Sequence, residues 1–343
     1  MMADRWGPAV SVLMPVRNGA AYLSEAIASL AAQTFRDFEI VVIDNGSTDA
    51  TPKLLCEWAK REPRLRSVRI EGPRLTRSLN LAATLARAPL LARLDADDVA
   101  LPHRLERQVA AMAANPGIGL LGSNVELIDG RGRRLGRTSV PVDDAAIRHA
   151  QRTSCVLAPS STIIRADLFQ KVGGYRPGLN ISEDFDLWSR LAEHCELAAL
   201  PDLLVRFRVH RGSVTARQPR RMALAAMCVV AACEARRRCE PEPFAAGTPN
   251  LRRALPLLGL SRAEARRLVA IRSRVNMAYR LFLGLPLPIA VKTALPGIVG
   301  ILGVRRLYQA WLRWAHRRQV PETQPSESPS SAAEAAAAGR LAA

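Results

Sequence analysis

The sequence predicts an α/β domain, a mixed, mostly parallel sheet flanked by helices, followed by a helical C-terminal extension. Three observations predict it. Residues 10–16 and 38–43 are Val/Ile-rich runs separated by a helical pattern at 20–32, a strand–helix–strand unit of about 35 residues. An apolar run at 88–94 leads directly into Asp95, Asp97 and Asp98. After residue 213 the acids thin out: residues 214–320 carry 20 Lys and Arg against 4 Asp and Glu, within a chain of net charge +18.

Each element has its own warrant. In the first helical pattern Leu23, Ile27 and Leu30 share one face, opened by Asn18-Gly19. Asp44 and the Asn45–Asp49 turn follow the second strand, at the carboxyl edge where parallel sheets bind ligands. Residues 76–86 read as a helix and 90–94 as a strand; Pro102 suits the start of a helix carrying Leu105, Val109 and Met112. A β-rich excursion is expected over 118–139 with a turn at Asp129-Gly130, and a short strand over 160–164. Ser182, Glu183, Asp184, Asp186 and Trp188 open a helix running to about Leu191, and 203–209 reads as an edge strand. Residues 222–239 and 262–282 are helical, the second with a stripe of Leu268, Ile271, Val275 and Ala278. Residues 281–304 are apolar but broken by Lys292, Pro286, Pro288 and Pro296, a poor spanning helix and a better interfacial segment. A last helix at 304–318 aligns Leu307, Trp311 and Trp314, and the tail from 321 is low-complexity. The expected divisions are therefore 1–213, 214–320 and 321–343.

Composition narrows the function. The 6 cysteines show no Cys-x-x-Cys spacing, as expected of free thiols in a reducing compartment. No apolar leader core precedes the first strand, so a cytoplasmic location is expected. The localised positive charge calls for an anionic partner, and Trp and Arg together point to the inner face of an anionic membrane. Codon bias accounts for Arg over Lys, but not for the scarcity of acids. No reader motif or interleaved aromatics supports nucleic acid, which is not expected as a partner.

Three carboxylates behind a buried strand repel one another unless a cation is held there. Hard divalent ions bridge carboxylates to phosphates, so a Mg²⁺- or Mn²⁺-bound diphosphate is expected. Helix capping explains one acid of the three. At the same edge Pro15, Val16, Arg17, Asn18 and Asp44 can address a nucleotide, and Arg77, at a helix start, can add a charge-assisted contact. A nucleotidyltransferase is the alternative enzyme, but the single glycine after the first strand does not make its Gly-rich loop.

Taken in order, these segments resemble the family 2 glycosyltransferases and their GT-A fold. The resemblance runs through Ser11–Asn18, Ser29–Gln33, Val42–Thr51, Ala92–Asp98, Pro102–Gln108, Val172–Tyr175, Ser182–Trp188 and Arg208–Ser213. It covers residues 10–213 and is silent on the extension. It implies inverting transfer of a sugar from a nucleotide-sugar donor, a UDP-sugar foremost, to a glycan or lipid-linked acceptor. On that resemblance Asp44 contacts the base, Asp95 the ribose side, and Asp97 with His210 the metal. Asp184 is the general base, supported by Glu183 and Trp188, with Asp186 a weaker candidate. Asp98 is expected to help hold the metal or to cap the following helix, with capping favoured. The family often has His where Ala158 stands before Pro159-Ser160, which loosens inference about acceptor contacts there.

Overall fold

A computed structural model describes residues 7–72, 74–210, 212–213, 217–245 and 247–283. The interrupted apolar segment after residue 283, the Trp-bearing helix at 304–318 and the tail lie outside the described residues.

The chain opens with strand β1 (Val10–Val16), helix α1 (Leu23–Ala31) and strand β2 (Phe38–Asn45). Helix α2 (Thr51–Arg61), strand β3 (Leu65–Ile70), helix α3 (Leu75–Leu85) and strand β4 (Leu90–Arg93) follow. Strands β1 to β4 pair in parallel in the order β3-β2-β1-β4. β1 and β2 are buried along their whole length, as strands covered on both faces must be. Val10, Val12, Met14 and Val16 pack on one face with Leu23, Ile27 and Leu30, while Leu13, Val41 and Ile43 pack on the other with Leu79 and Trp188.

The second half continues the sheet with strands β5 (Val99–Ala100), β6 (Ile118–Asp129), β7 (Arg134–Arg137), β8 (Ile163–Arg165) and β9 (Glu196–Val209). The full order is β3-β2-β1-β4-β8-β6-β9-β5, with β7 paired to β6. β8 runs antiparallel to β4 and β6, while β6 and β9 run parallel. The expected excursion at 118–139 is the β6–β7 hairpin. The expected edge strand at 203–209 is instead the end of the 14-residue β9, flanked by β6 and β5. Its polar alternation misled because Arg206 and Arg208 find carboxylate partners.

Helices α4 (Arg104–Ala114), α5 (Asp144–Gln151), α6 (Ala166–Lys171) and α7 (Glu183–Leu191) lie in this half. Beyond residue 213 come α8 (Pro219–Arg237), the short hairpin β10 (Phe244–Ala245) and β11 (Thr248–Pro249), α9 (Leu251–Leu258) and α10 (Arg262–Leu283). All described residues fall in one compact unit. α8 is joined to α7 by Arg236, which donates to Ser189 Oγ (3.0 Å) and pairs with Glu193 (2.5 Å). The first described part of the extension therefore packs against the helix that carries Asp184.

Candidate active site

Parallel pairing brings the carboxyl ends of β1, β2 and β4 together: Val16 stands opposite Asp44, and Leu13 opposite Arg93. Pro15 and Val16, at the end of β1, are buried, while Arg17 and Asn18 beyond it are exposed. Asn18 adopts a left-handed φ of 51°, which its short amide tolerates. Its N–H donates to Ser47 Oγ (2.9 Å) and its Oδ1 accepts from Thr48 N–H (2.8 Å), fastening the first loop to the second. Asp44 is buried; it accepts from Ser47 N–H (2.9 Å) and pairs with Arg69 (3.0 Å). Arg77 is exposed on α3, and among the described residues no hydrogen bond or ion pair links it to these loops.

After β4 the three acids take three different environments. Asp95 receives Nε and Nη2 of Arg93 at 2.8 and 3.2 Å, and its own N–H donates to Ser160 Oγ at 3.0 Å. Asp97 Oδ2 lies 2.9 Å from His210 Nε2, with both side chains partly open to solvent. Asp98 is buried; its Oδ1 accepts from Arg208 N–H (2.7 Å), and its Oδ2 has no partner among the described residues. Burial, then the neighbouring Asp97 and Asp95, hold the Asp98 carboxyl well above the usual carboxylate range. The expected cap is thus corrected. α4 begins six residues later, after His103, with no capping side chain, because Asp98 is turned inward to β9.

Arg208 ties this corner together. Its guanidinium donates to the Asp97 carbonyl (2.8 Å) and the Asp129 carbonyl (3.2 Å), pairs with Glu25 (2.6 Å) and lies 4.5 Å above the Tyr22 ring. Tyr22 also meets His210 edge-on, with centroids 5.2 Å apart.

On the other side of Arg93 stands the first turn of α7. Arg93 Nη1 donates to Glu183 Oε1 (3.1 Å), so one buried guanidinium bridges Asp95 and Glu183. Burial works against the Arg93 charge, but Asp95, Tyr175 and Glu183 raise its pKa well above the ordinary value. Burial pushes Glu183 up to about 7 against the pull of Arg93, with Asp184 adding to the rise. Asp184 is half-buried; its Oδ1 accepts from Phe185 N–H (2.8 Å), and burial raises its pKa too. Ser182, the residue a capping motif would use, has a left-handed φ of 58° and makes no side-chain cap, so capping does not account for the two acids. Burial, then the Asp184 and Glu183 carboxylates, push the Cys155 thiol well above its ordinary value.

Two nominated residues are structural. Asp186 is fully buried between Arg176 (3.1 Å) and Arg190 (2.7 Å), and so is no base candidate. Trp188 is fully buried, its indole N–H donating to the Leu157 carbonyl (3.3 Å); it packs under the site rather than lining it. Sequence reasoning assigned no role to Arg93, Arg208 or the buried Arg104, which donates to the Arg93 and Thr162 carbonyls. The only local signal for Arg93 is a cation inside an apolar strand two residues before an acid.

Among the described residues no group of three His, Cys, Asp or Glu side chains converges as a metal site. Two do, however, and their spacing suits a shared ion. Neighbouring ligands of an octahedral cation at about 2.1 Å stand about 3 Å apart, close to the Asp97–His210 separation. The remaining positions suit diphosphate oxygens and water. A mixed carboxylate–imidazole pair accepts Mn²⁺ more readily than Mg²⁺.

A family model described as glycosyl transferase family 2 matches residues 11–173. The O-antigen biosynthesis glycosyltransferase WbnJ of Escherichia coli is 31% identical over 208 residues, 60% of this chain and 81% of that protein. The putative glycosyltransferase EpsE of Bacillus subtilis is 30% identical over 191 residues, 54% of this chain and 68% of its own. Among solved structures, S. aureus TarS 1-349 in complex with UDP-GlcNAc superposes with a TM-score of 0.56 at 19% identity, covering 89% of this chain and 91% of that one. The mannosyltransferase PcManGT of Pyrobaculum calidifontis, in complex with GDP-Man and Mn²⁺, gives 0.51 at 19% identity over 93% and 89%. Both likenesses are of fold.

Proposed function

Since the chain belongs to glycosyltransferase family 2 and is a transferase built on the GT-A fold, we propose that it moves a sugar from a nucleotide-sugar donor to an acceptor hydroxyl with inversion. The observation that carries this reading is the Arg93 bridge. It joins Asp95, two residues before Asp97, to Glu183, next to Asp184, which supports a diphosphate end and a base side by side. In this reading Pro15, Val16, Arg17, Asn18 and Asp44 receive the nucleotide, Asp95 faces the ribose, and Arg77 adds charge. Asp97 and His210 hold Mg²⁺ or Mn²⁺, which when bound neutralises charge on the leaving diphosphate.

Asp184 takes the proton of the acceptor hydroxyl as its oxygen bonds to the anomeric carbon, while the bond from that carbon to the diphosphate breaks on the opposite face. A raised pKa suits the role: a carboxylate whose proton affinity lies nearer the working pH is a stronger base. A UDP-sugar donor draws support from the UDP-GlcNAc complex of TarS, and the GDP-Man complex of PcManGT keeps guanosine donors in the test. The acceptor is a cell-envelope glycan or a lipid-linked one, and the O-antigen biosynthesis in the name of WbnJ supports the glycan. Among the described residues no helix is long and apolar enough to cross a membrane. The proposed location is peripheral, at the inner face of the cell membrane, on the strength of the basic extension's charge.

A thermal-shift series with UDP- and GDP-sugars, with and without Mn²⁺, tests the site. Ligands that bind the native state raise its melting temperature. One donor class is expected to do so only with Mn²⁺, and D97A to lose that increment while its unliganded melting temperature stays put. An unchanged increment in D97A removes Asp97 from the site.

A further inference from the structure

One buried cation stands between the proposed donor end and the proposed base, and no step of the proposed transfer uses it. Arg93 lies on β4 two residues after Leu91, so strand alternation sends both side chains to the face where Leu91 packs with Leu187 and Trp188 of α7. Only 4% of its side chain is exposed. Its backbone is held too, since the Arg104 guanidinium donates to its carbonyl (2.8 Å). The Arg93 guanidinium forks onto Asp95 and reaches Glu183, with the Tyr175 hydroxyl 3.5 Å away.

The charge ratio at Arg93 is the reverse of that at the structural acids of this chain. Glu39, buried, meets Arg66 and Arg87. Asp186, two residues beyond Asp184 on the same helix, is closed off between Arg176 and Arg190. Each of these carboxylates has two guanidiniums. At Arg93 one guanidinium serves two carboxylates, and a third, Asp184, follows Glu183 in the chain. Acids crowded around one shared cation are an arrangement typical of working sites.

The start of α7 depends on the same contact. Ser182 has a left-handed φ of 58° and caps nothing, and the first turn carries Glu183, Asp184 and Asp186. Arg93 joins the sheet to that turn: Glu183 Oε1 accepts from its Nη1 (3.1 Å), while Asp184 keeps Oδ1 on Phe185 N–H (2.8 Å). The titratable groups around Asp184 are Glu183 on its own helix, Arg93 and Asp95 at the end of β4, and the Cys155 thiol. Arg93 is the cation in that group, and against the rise that burial imposes on Asp184 its charge pulls the other way.

We propose that Arg93 is a positioning residue for transfer: anchored on Asp95, it fixes the first turn of α7 and stabilises Asp184 in its carboxylate form. This rests on the glycosyltransferase reading above and deepens it, since one side chain then sets both the donor-side acid and the base.

The test uses the full chain. Its Asp carboxyl carbons, labelled with ¹³C, are titrated by NMR, and the resonance missing in D184N gives the Asp184 midpoint. A nearby opposite charge lowers a carboxyl pKa by about one to three units, so R93M is expected to move that midpoint up by about one unit or more. R93K, which keeps the charge, is expected to leave it near wild type. The second readout is nucleotide release to water, with Mn²⁺ and the nucleotide-sugar that raises the melting temperature. There the water oxygen bonds to the anomeric carbon, the nucleoside diphosphate leaves, and Asp184 takes the proton. The single ammonium of R93K cannot fork onto Asp95 and still reach Glu183, so R93K is expected to lose about tenfold or more in kcat at an unchanged midpoint. Should R93M not fold, R93M/E183Q compared with E183Q reads the same shift with both ends of the ion pair removed. A midpoint that stays or falls when the Arg93 charge is lost overturns the proposal, and so does R93K with wild-type kcat. Wild-type turnover in D184N strikes the base reading itself, and with it the role in transfer, while the midpoint still reports whether Arg93 holds the Asp184 charge.

Discussion

Glu183 is a buried carboxyl held at a thermodynamic disadvantage, and E183Q should relieve it. Burial raises its pKa from an ordinary 4.5 to about 7. A carboxyl whose folded pKa is raised stabilises the fold fully below its unfolded pKa. It loses that contribution as pH climbs through the folded one. At 1.36 kcal/mol per unit, the whole loss is about 3 kcal/mol, and about 2.5 kcal/mol of it falls between pH 5 and pH 8. Glutamine has the same shape and no proton to lose. The stability of E183Q relative to wild type should therefore grow by about 2.5 kcal/mol from pH 5 to pH 8. Urea unfolding at half-unit pH steps measures it, with the slope against denaturant unchanged. Using the growth of the difference removes any constant offset between amide and carboxyl. A difference that stays flat across this range would refute the reasoning. It would mean that Arg93, 3.1 Å away, outweighs burial and keeps Glu183 ionised throughout. The gain is expected to come with lost transfer activity, since a charge retained against stability in a cleft is the mark of a working site.

Two further outcomes follow from the same geometry. The raised pKa of Asp184 means that kcat/KM should fall on the acid side at a higher pH than an ordinary aspartate would give, because the base must be ionised to act. D184N should cut kcat by orders of magnitude while nucleotide binding by thermal shift stays near wild type, and retained turnover moves the base elsewhere. W188A should cost about 3–5 kcal/mol by leaving a cavity under α7; at a temperature where it stays folded its donor KM should be near normal, and a KM that rises manyfold would make Trp188 part of the donor site.

That the acids proposed for the donor side share one edge was legible because their placement follows from topology. A parallel sheet sends the ends of β1, β2 and β4 to one edge, so Asn18, Asp44 and Asp95 had to be neighbours. The Asp97–His210 pair lies 113 residues apart and was reachable only through the family resemblance. The arginines were not legible. Arg104 is fully buried on the inward face of α4, where periodicity asks for an apolar residue, and its bonds reach the Arg93 and Thr162 carbonyls on two different strands. β3 went unread because Arg66 and Arg69 interrupt its apolar pattern. Being an edge strand, it can lean Arg66 onto Glu39 and Arg69 onto Asp44. Asp98 was misassigned because proximity in sequence to a helix start outweighed a partner on β9 that only the folded chain supplies.

Those hidden arginines change what the acid cluster means. Five carboxylates, Asp95, Asp97, Asp98, Glu183 and Asp184, share one corner with three guanidiniums, Arg93, Arg104 and Arg208. Burial holds the Asp98 carboxyl well above the usual carboxylate range and Glu183 up at about 7, so neither counts as a full charge, and among the described residues the three guanidiniums have partners other than the Asp97 carboxylate. Arg93 faces Asp95 and Glu183, Arg104 faces carbonyls, and Arg208 faces carbonyls and Glu25. The Asp97 charge is therefore left where two side chains stand at the spacing of neighbouring ligands. Had a fourth arginine filled that gap, the cluster would be a closed structural network, stable by itself and indifferent to cations. As built, the Asp97 carboxylate meets His210 and no guanidinium among the described residues, and on the proposed function a divalent ion would be held there.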